Sequence, residues 1–326
     1  MILTRSPLRI SLGGGGTDLP SFYEKFGGFV ISAAIDKYVY VAVNKPFIEK
    51  YILKYSDVER CDSIEGIKHP IIRESLRLLL DSKSKVEIST LADIPSGTGL
   101  GSSGSFTVGL IKALSAYTNK PIHAEELAEL ACQVEIEILK EPIGKQDQYI
   151  AAYGGISQFD FSQSGQVRTT NLKISKESIC DLEDNLLLFY TGTSRSASAI
   201  LSDQVEKSKN SDTNMLDNLQ FTKELGFKSK ELLLKGDLSS YGALMHEHWM
   251  HKRSRSQGMS NSVIDEAYMD ALKNGAVGGK LVGAGGGGFL MFYAHDAERL
   301  RLCMSKWKME EIRFKFDFQG AVLVIS

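Results

Sequence analysis

A glycine- and serine-rich segment, Ser96–Gly104 (SGTGLGSSG), runs directly into an apolar stretch of helical character, Ser105–Tyr117. Glycine at this density lets backbone approach a ligand closely. Ser102 and Ser103 add two hydroxyls at the helix start. A helix N-terminus carries unpaired N–H groups and the positive end of the helix dipole, an arrangement suited to phosphate. The chain is therefore expected to fold so that a loop closes on a helix start at the edge of a nucleotide or sugar phosphate.

Three phosphate-loop patterns compete, and the flanks separate them. The nucleoside triphosphatase loop needs a lysine after its glycines, and none follows here. Gly99-x-Gly101-x-x-Gly104 matches the dinucleotide fingerprint, which should follow its strand in a tight strand–turn–helix. The nearest strand-like run, Val86–Thr90, is separated from Gly99 by Leu91–Thr98, with Pro95 between. A longer loop closing on a helix, with serines offered to phosphate oxygens or Mg²⁺, fits best.

The rest of the chain supplies mixed elements. Val30–Asn44, Leu186–Tyr190, Phe289–Tyr293 and Ala321–Ile325 read as strands. His123–Lys140 reads as a helix, with Pro121 ahead of it and Pro142 beyond, as do Asn218–Leu234 and Ser239–His251. Strict strand–helix alternation is missing, which favours α+β over a doubly wound parallel sheet. A length of 326 residues suggests two domains, and the polar Ser162–Gln166 offers a boundary.

Composition narrows the function. A net charge of −2 gives no reason to expect nucleic acid or an anionic membrane as partner. No apolar run reaches the roughly 18 residues of a membrane span, and MILTRSPLRISL lacks the marks of a signal peptide. The four cysteines, Cys61, Cys132, Cys180 and Cys303, lie far apart, implying neither a zinc site nor a disulfide framework. A reducing cytoplasm is the simplest location.

Several segments carry chemistry. On a helical wheel Leu127, Leu130, Ala131, Val134 and Ile138 share one face. Glu135 falls roughly 80° from its centre, at the margin between core and solvent. Glu129 points away and is expected to be solvated. Pro142–Gln148 (PIGKQDQ) makes a stiff turn that can fix Asp147 as a proton acceptor for a substrate hydroxyl, while Glu135 and Ser103 offer oxygen ligands for Mg²⁺. Gly13–Gly16 runs into Thr17 and Asp18, a carboxylate suited to sugar hydroxyls or to capping the next segment. Leu281–Phe289 holds a second GxGxxG, followed by a strand instead of a helix: a turn closing over a ligand, or a simple hairpin. His246–His251 (HEHWMH) is not the H-E-x-x-H zinc pattern, and packing or substrate contact is the better reading.

Together, PSGTGLGSSGS at Pro95–Ser105, GAGGGGF at Gly283–Phe289 and SPLRISLGGGGTD at Ser6–Asp18 resemble the three motifs of the GHMP kinases, the superfamily of galactokinase, homoserine kinase, mevalonate kinase and phosphomevalonate kinase. The resemblance covers most of the chain. It implies a two-domain α+β fold, with a ribosomal protein S5 domain 2-like N-terminal half over 1–165 that binds ATP and a ferredoxin-like C-terminal half over 166–326. It places ATP along Pro95, Gly97, Gly99, Leu100, Gly101, Ser102, Ser103 and Gly104. By the same resemblance Ser103 and Glu135 hold Mg²⁺, Asp147 is the catalytic aspartate and Arg9 the basic residue near the transferred phosphoryl. Gly15, Gly16, Thr17 and Asp18, with Gly285 and Gly286, fall to the sugar.

The galactokinase motif reads GEHTD where this chain has Gly14–Asp18, so two polar sugar contacts are missing and the pocket should be roomier. GGGTDLP, HPIIRESL, YTGTSRSAS and HKRSRSQGMSN are instead similar to the branch of D-glycero-D-manno-heptose 7-phosphate kinases and fucokinases. A heptose kinase of this branch phosphorylates the anomeric hydroxyl of an already phosphorylated sugar. Such a substrate needs basic receptors, and Arg195 and the segment Lys252-Arg253-Ser254-Arg255 are the candidates, since arginine meets phosphate in a forked geometry; an ordinary solvated face is the alternative for Lys252–Arg255. Partners are then a sugar phosphate and ATP, with a homodimer allowed. A kinase for a free sugar such as fucose or galactose, or a non-catalytic binding protein on the same fold, remains the alternative.

Overall fold

The computed structural model describes residues 1–81, 84–193, 197–255 and 258–326. Its strands form two sheets. The larger contains β1 (Ile2–Gly13), β2 (Gly28–Asn44), β3 (Tyr51–Lys54), β4 (Val58–Cys61), β5 (Glu87–Ala92), β6 (Ile156–Phe161) and β7 (Val167–Asn171). The smaller is an antiparallel set of β8 (Leu186–Tyr190), β9 (Ala276–Leu281), β10 (Phe289–Ala294) and β11 (Glu310–Glu311), in the order β11-β8-β10-β9. The last strand, β12 (Val322–Ile325), returns to the larger sheet and pairs with β1.

β2 is long because an unbroken run of β-branched, alanine and aromatic residues carries it past two partners. Val39–Asn44 pairs with β5 and Gly28–Ala33 with β6, while β1 runs along its other edge. The β1–β2 register shifts at Pro7/Leu8, where proline can give no N–H to the ladder. Polar Ser162–Gln166, read as a domain boundary, is the turn between β6 and β7, closed by Ser162 N–H donating to the Gln166 carbonyl. A division there would split a pair of hydrogen-bonded strands. The change of sheet comes later, between β7 and β8.

Helices α1 (Pro20–Phe26), α2 (Pro70–Leu79), α3 (Ser102–Tyr117), α4 (Ala124–Cys132) and α5 (Gln146–Tyr153) belong with the larger sheet. α3 packs on β1 and β2, with Ser105 Oγ donating to the Pro7 carbonyl at 2.6 Å and Thr4 Oγ1 to the Gly109 carbonyl at 2.8 Å. Then follow α6 (Lys176–Asn185), α7 (Ala197–Lys209), α8 (Thr213–Lys235), α9 (Leu238–Arg253), α10 (Ser262–Lys273) and α11 (Ala297–Lys306). Of these α9 and α10 lie against β9. The single helix expected over His123–Lys140 is instead α4 followed by a π-helix, Gln133–Ile138. Among the described residues no helix is long and apolar enough to cross a membrane.

The α9–β9 contact depends on two missing side chains. A Cβ on Gly278 would stand 2.1 Å from the Gly242 carbonyl oxygen, and one on Gly242 would stand 2.9 Å from the Tyr293 ring. Gly278→Ala must push α9 off the sheet, because close-packed interiors resist added volume. Urea unfolding should show a loss of about 1–3 kcal/mol. An unchanged midpoint would mean that the helix is free to slide there.

Candidate active site

A cleft of about 700 Å³ is lined by all three glycine-rich segments, and the chemistry-bearing side chains converge on it. The glycine- and serine-rich loop of Ser96–Gly104 joins β5 to α3. Gly101 adopts the left-handed conformation (φ 78°) at the N-cap, so the helix begins at Ser102, a turn earlier than the apolar run indicates. Ser102, Ser103 and Gly104 thus form the first turn, whose N–H groups have no helical partner, and all three line the cleft. Ser102 Oγ is buried without a hydrogen bond among the described residues. Gly97, Gly99 and Gly101 line the cleft too, whereas Pro95 and Leu100 do not. Pro95 accepts from Thr98 Oγ1, and Leu100 is a core residue whose carbonyl accepts from Arg9 N–H, so both shape the loop from behind.

Arg9, on β1 and only 6% exposed, is the anchor of the site. Its Nε and Nη2 donate to the two Asp147 carboxylate oxygens at 2.7 and 2.9 Å. Nη1 donates to the Gly99 carbonyl at 2.5 Å. Asp147 sits in the first turn of α5, and its Cβ would clash with any side chain at Gly104 (2.7 Å), so α3 and α5 meet closely at the cleft.

Glu135 is 1% exposed, not at the margin given by the wheel. The π-helix is the reason: its wider turn re-aims the side chains after Cys132 relative to an α-helix. Glu135 accepts from Ser103 Oγ and, at 2.7 Å, from Gln148 Nε2. Burial pushes its carboxyl up to about 7, against the pull of those donors. A buried carboxylate touching a serine hydroxyl at a phosphate loop fits Mg²⁺, which takes one or two protein oxygens and completes its shell with phosphate and water. Glu129, expected to be solvated, instead pairs with Lys145 at 2.9 Å and accepts from the Tyr149 hydroxyl.

Asp18 is buried, accepting from the N–H groups of Gly16 and Gln146, both at 3.1 Å. Burial and the nearby Asp147 charge push its carboxyl up. A Cβ at Gly144 would lie 2.0 Å from Asp18 Oδ2, so the Pro–Gly turn exists to admit this carboxylate. Gly15, Gly16 and Asp18 line the cleft. Thr17 does not: it is fully buried, with its hydroxyl 2.9 Å from the Gly14 and Phe29 carbonyls, and braces the loop.

The C-terminal half contributes Gly283, Ala284, Gly285 and Gly287, with Lys252, Lys280, His248 and Arg255. Gly286 turns away, its N–H donating to the Met259 carbonyl. Arg253 is not a receptor either, being spent on Asp265 at 2.6 Å along α9 and α10. Arg195 lies outside the described residues. The histidines of His246–His251 separate: His246 bonds Tyr268, His251 packs on Phe221, and His248 is buried at the cleft. Sequence reasoning offered substrate contact as one reading of the histidine cluster, but missed Lys280 and the aromatic end built by Tyr55, His69 and Phe106. These residues sit far apart along the chain, and only the similarity of HPIIRESL to one kinase branch hinted at the aromatic end.

A glycine- and serine-rich loop closing on a helix start, two buried carboxylates and a forked arginine, facing a second glycine-rich turn, are an arrangement suited to phosphoryl transfer. Residues 70–155 match the GHMP kinases N-terminal domain and 229–308 the GHMP kinases C-terminal domain, and the chain belongs to this family. Its two sheets with their helices form the two-domain α+β fold of these enzymes. The chain is similar, at 30% identity over 97% of its length and 96% of the relative's, to D-glycero-alpha-D-manno-heptose 7-phosphate kinase of Campylobacter jejuni. It is 27% identical to the bifunctional fucokinase/GDP-fucose pyrophosphorylase of Arabidopsis thaliana over 90% of this chain, spanning only 30% of that longer protein. The fold matches a D-glycero-D-manno-heptose 1-phosphate kinase of Bacteroides thetaiotaomicron, with a TM-score of 0.83, 24% identity and coverage of 100% and 99% of the two chains.

Glu135 has a consequence for stability. Its folded-state carboxyl holds a proton up to about pH 7, whereas an unfolded glutamate releases it near 4.5. Between these values the folded state binds more protons, so stability from this group is full below about 4.5 and falls as pH rises through 7. Melting curves of metal-free protein from pH 5 to 8 should therefore decline more steeply for wild type than for Glu135→Gln. Parallel curves would contradict a buried, proton-holding Glu135.

Proposed function

We propose that this cleft transfers the γ-phosphate of ATP to the anomeric (C1) hydroxyl of D-glycero-D-manno-heptose 7-phosphate, giving the 1,7-bisphosphate on the route to GDP-heptose. The observation that carries the kinase reading is the Arg9–Asp147 fork beside the phosphate loop. Near-full-length similarity to the Campylobacter jejuni enzyme supports the acceptor.

In this reading the ATP phosphates lie along Gly97–Gly104, held by the N–H groups of the first α3 turn and by the Ser102 hydroxyl, which has no other partner among the described residues. The adenine sits at the end lined by Tyr55, His69 and Phe106. Ser103 and Glu135 hold Mg²⁺, whose charge offsets that of the phosphates. Asp147 takes the proton of the acceptor hydroxyl as its oxygen bonds to the γ-phosphorus and the bond to ADP breaks. Arg9, fixed by Asp147 and Gly99, supplies positive charge to the transferring oxygens without having to reorganise. Asp18 orients the sugar, and Gly15 and Gly16 leave it room. With ATP as donor and free thiols at all four cysteines, the reaction belongs in the cytoplasm.

A kinase for a free sugar is the second reading, favoured by the similarity to the fucokinase half of the plant protein. ADP release with a panel of free sugars and their 6- or 7-phosphates separates the two, with turnover expected on heptose 7-phosphate. Turnover on fucose or galactose alone would replace the acceptor. Asp147→Asn should lower kcat by about two to four orders of magnitude with ATP binding intact. Near wild-type turnover would remove Asp147 from the proton transfer.

A further inference from the structure

The C-terminal half brings four basic side chains to the cleft wall. His248 and Lys252 lie on α9, Arg255 just beyond its end and Lys280 on β9, and all are more than nine-tenths buried. His248 faces Lys280, Arg255 and Lys252, while Lys252 and Lys280 also face Arg9. Their hydrogen bonds go to neutral groups. Lys252 Nζ donates to the Leu281 and Gly283 carbonyls, at 3.1 and 2.5 Å. Lys280 Nζ donates to the Leu12 carbonyl at 3.2 Å, and Arg255 donates to Asn218 Oδ1 and Thr222 Oγ1.

Of the carboxylates lining the cleft among the described residues, Glu141 is exposed and the other three are engaged elsewhere. Asp147 holds Arg9, Glu135 holds Ser103 and Gln148, and Asp18 holds two backbone N–H groups. Among the described residues, no ion pair reaches His248, Lys252, Arg255 or Lys280. Like charges buried together are costly unless an opposite charge joins them. Donor capacity is left for that charge. Lys280 uses one of its three N–H groups in these bonds, Lys252 two of three, and Arg255 leaves Nη1 free of them. Arg255 Nη1 stands 2.9 Å from where a Cβ on Gly16 would be, and Gln204 Oε1, buried with no partner among the described residues, lies 3.8 Å from the same point.

We propose that His248, Lys252, Arg255 and Lys280 form the receptor for a phosphate monoester carried by the acceptor, at the end remote from its reacting hydroxyl, and that the absence of a side chain at Gly16 lets Arg255 reach it. The proposal rests on the reading of the cleft as a sugar kinase and deepens it. Arg255 stands against Gly16, two residues from Asp18, on the acceptor's side of the cleft, which distinguishes this receptor from the ATP loop.

A receptor of this kind takes up protons when it fills. Burial among like charges brings Lys280 down to about 7 and lowers Lys252 as well, so at pH 8 the empty cleft carries less than its full charge. An entering dianion restores that charge, and a phosphate monoester, with a second pKa of about 6, has almost no proton of its own to release at pH 8.

Isothermal titration at pH 8, in two buffers of different ionisation enthalpy, tests this directly. The ligands are D-glycero-D-manno-heptose 7-phosphate, the unphosphorylated heptose and a non-hydrolysable ATP analogue. The phosphorylated sugar should bind wild type at least about tenfold more tightly than the free sugar, with net proton uptake that the free sugar lacks. Lys280→Met and Arg255→Gln should each weaken it by about ten- to hundredfold while leaving free sugar and nucleotide within about twofold. Equal wild-type affinity for both sugars without proton uptake would overturn the receptor, whatever the folding of the variants. Weakened nucleotide binding in the variants would overturn it in favour of an ATP contact. Failure of wild type to bind either sugar or to release ADP with one would defeat the kinase reading itself, a result distinct from binding both sugars alike.

Discussion

The forked ion pair between Arg9 and Asp147 joins three regions of the chain that lie far apart in sequence. One guanidinium links β1 of the larger sheet, the first turn of α5 and the carbonyl of Gly99 in the glycine- and serine-rich loop. The bulge at Pro7/Leu8 lies immediately before it in β1, and Arg9 N–H also holds the Leu100 carbonyl. Removing one partner of a buried pair leaves the other uncompensated, at a cost of about 3–5 kcal/mol. Asp147 is partly open to the cleft, which discounts that figure but leaves the carboxylate accessible to a substrate.

The second half is docked against this framework through glycine. A Cβ on Gly283 would meet Gly99 Cα at 2.6 Å, and one on Gly288 would meet the Thr98 carbonyl at 2.2 Å. The two glycine loops therefore touch backbone to backbone, and the cleft between the halves inherits its shape from that contact. The same docking carries α9 and β9, with their basic residues, to the wall of the cleft beside Gly16. Lys280 reaches across to the Leu12 carbonyl, so the cationic wall is braced on the strand that bears Arg9.

Much of this was legible in the sequence, and the reason is local. A phosphate loop needs glycine and a helix start, which Ser96–Gly104 displays, and the turn at Pro142–Gly144 announces a fixed Asp147. Features set by distant residues were not legible. The wheel misplaced Glu135 because a π-helix leaves no clear mark in residue periodicity, and Glu129 found Lys145 and Tyr149 only through the packing of α4 on α5. Thr17, Leu100, Gly286 and Arg253 sit in the right motifs yet serve the backbone or a neighbouring acid. Lys280 passed unnoticed since a single lysine in a strand next to a glycine turn is unremarkable until α9 brings Lys252 and Arg255 beside it.

The central claim is that Arg9 and Asp147 act as one unit on the transferring phosphoryl group. A double-mutant cycle with Arg9→Met and Asp147→Asn, read by single-turnover phosphoryl transfer from ATP to heptose 7-phosphate, tests it most directly. Residues acting as a unit are strongly non-additive, so the double variant should be about as slow as the slower single one. Effects that multiply independently would show that the two residues are not coupled in the transfer step and would contradict the claim.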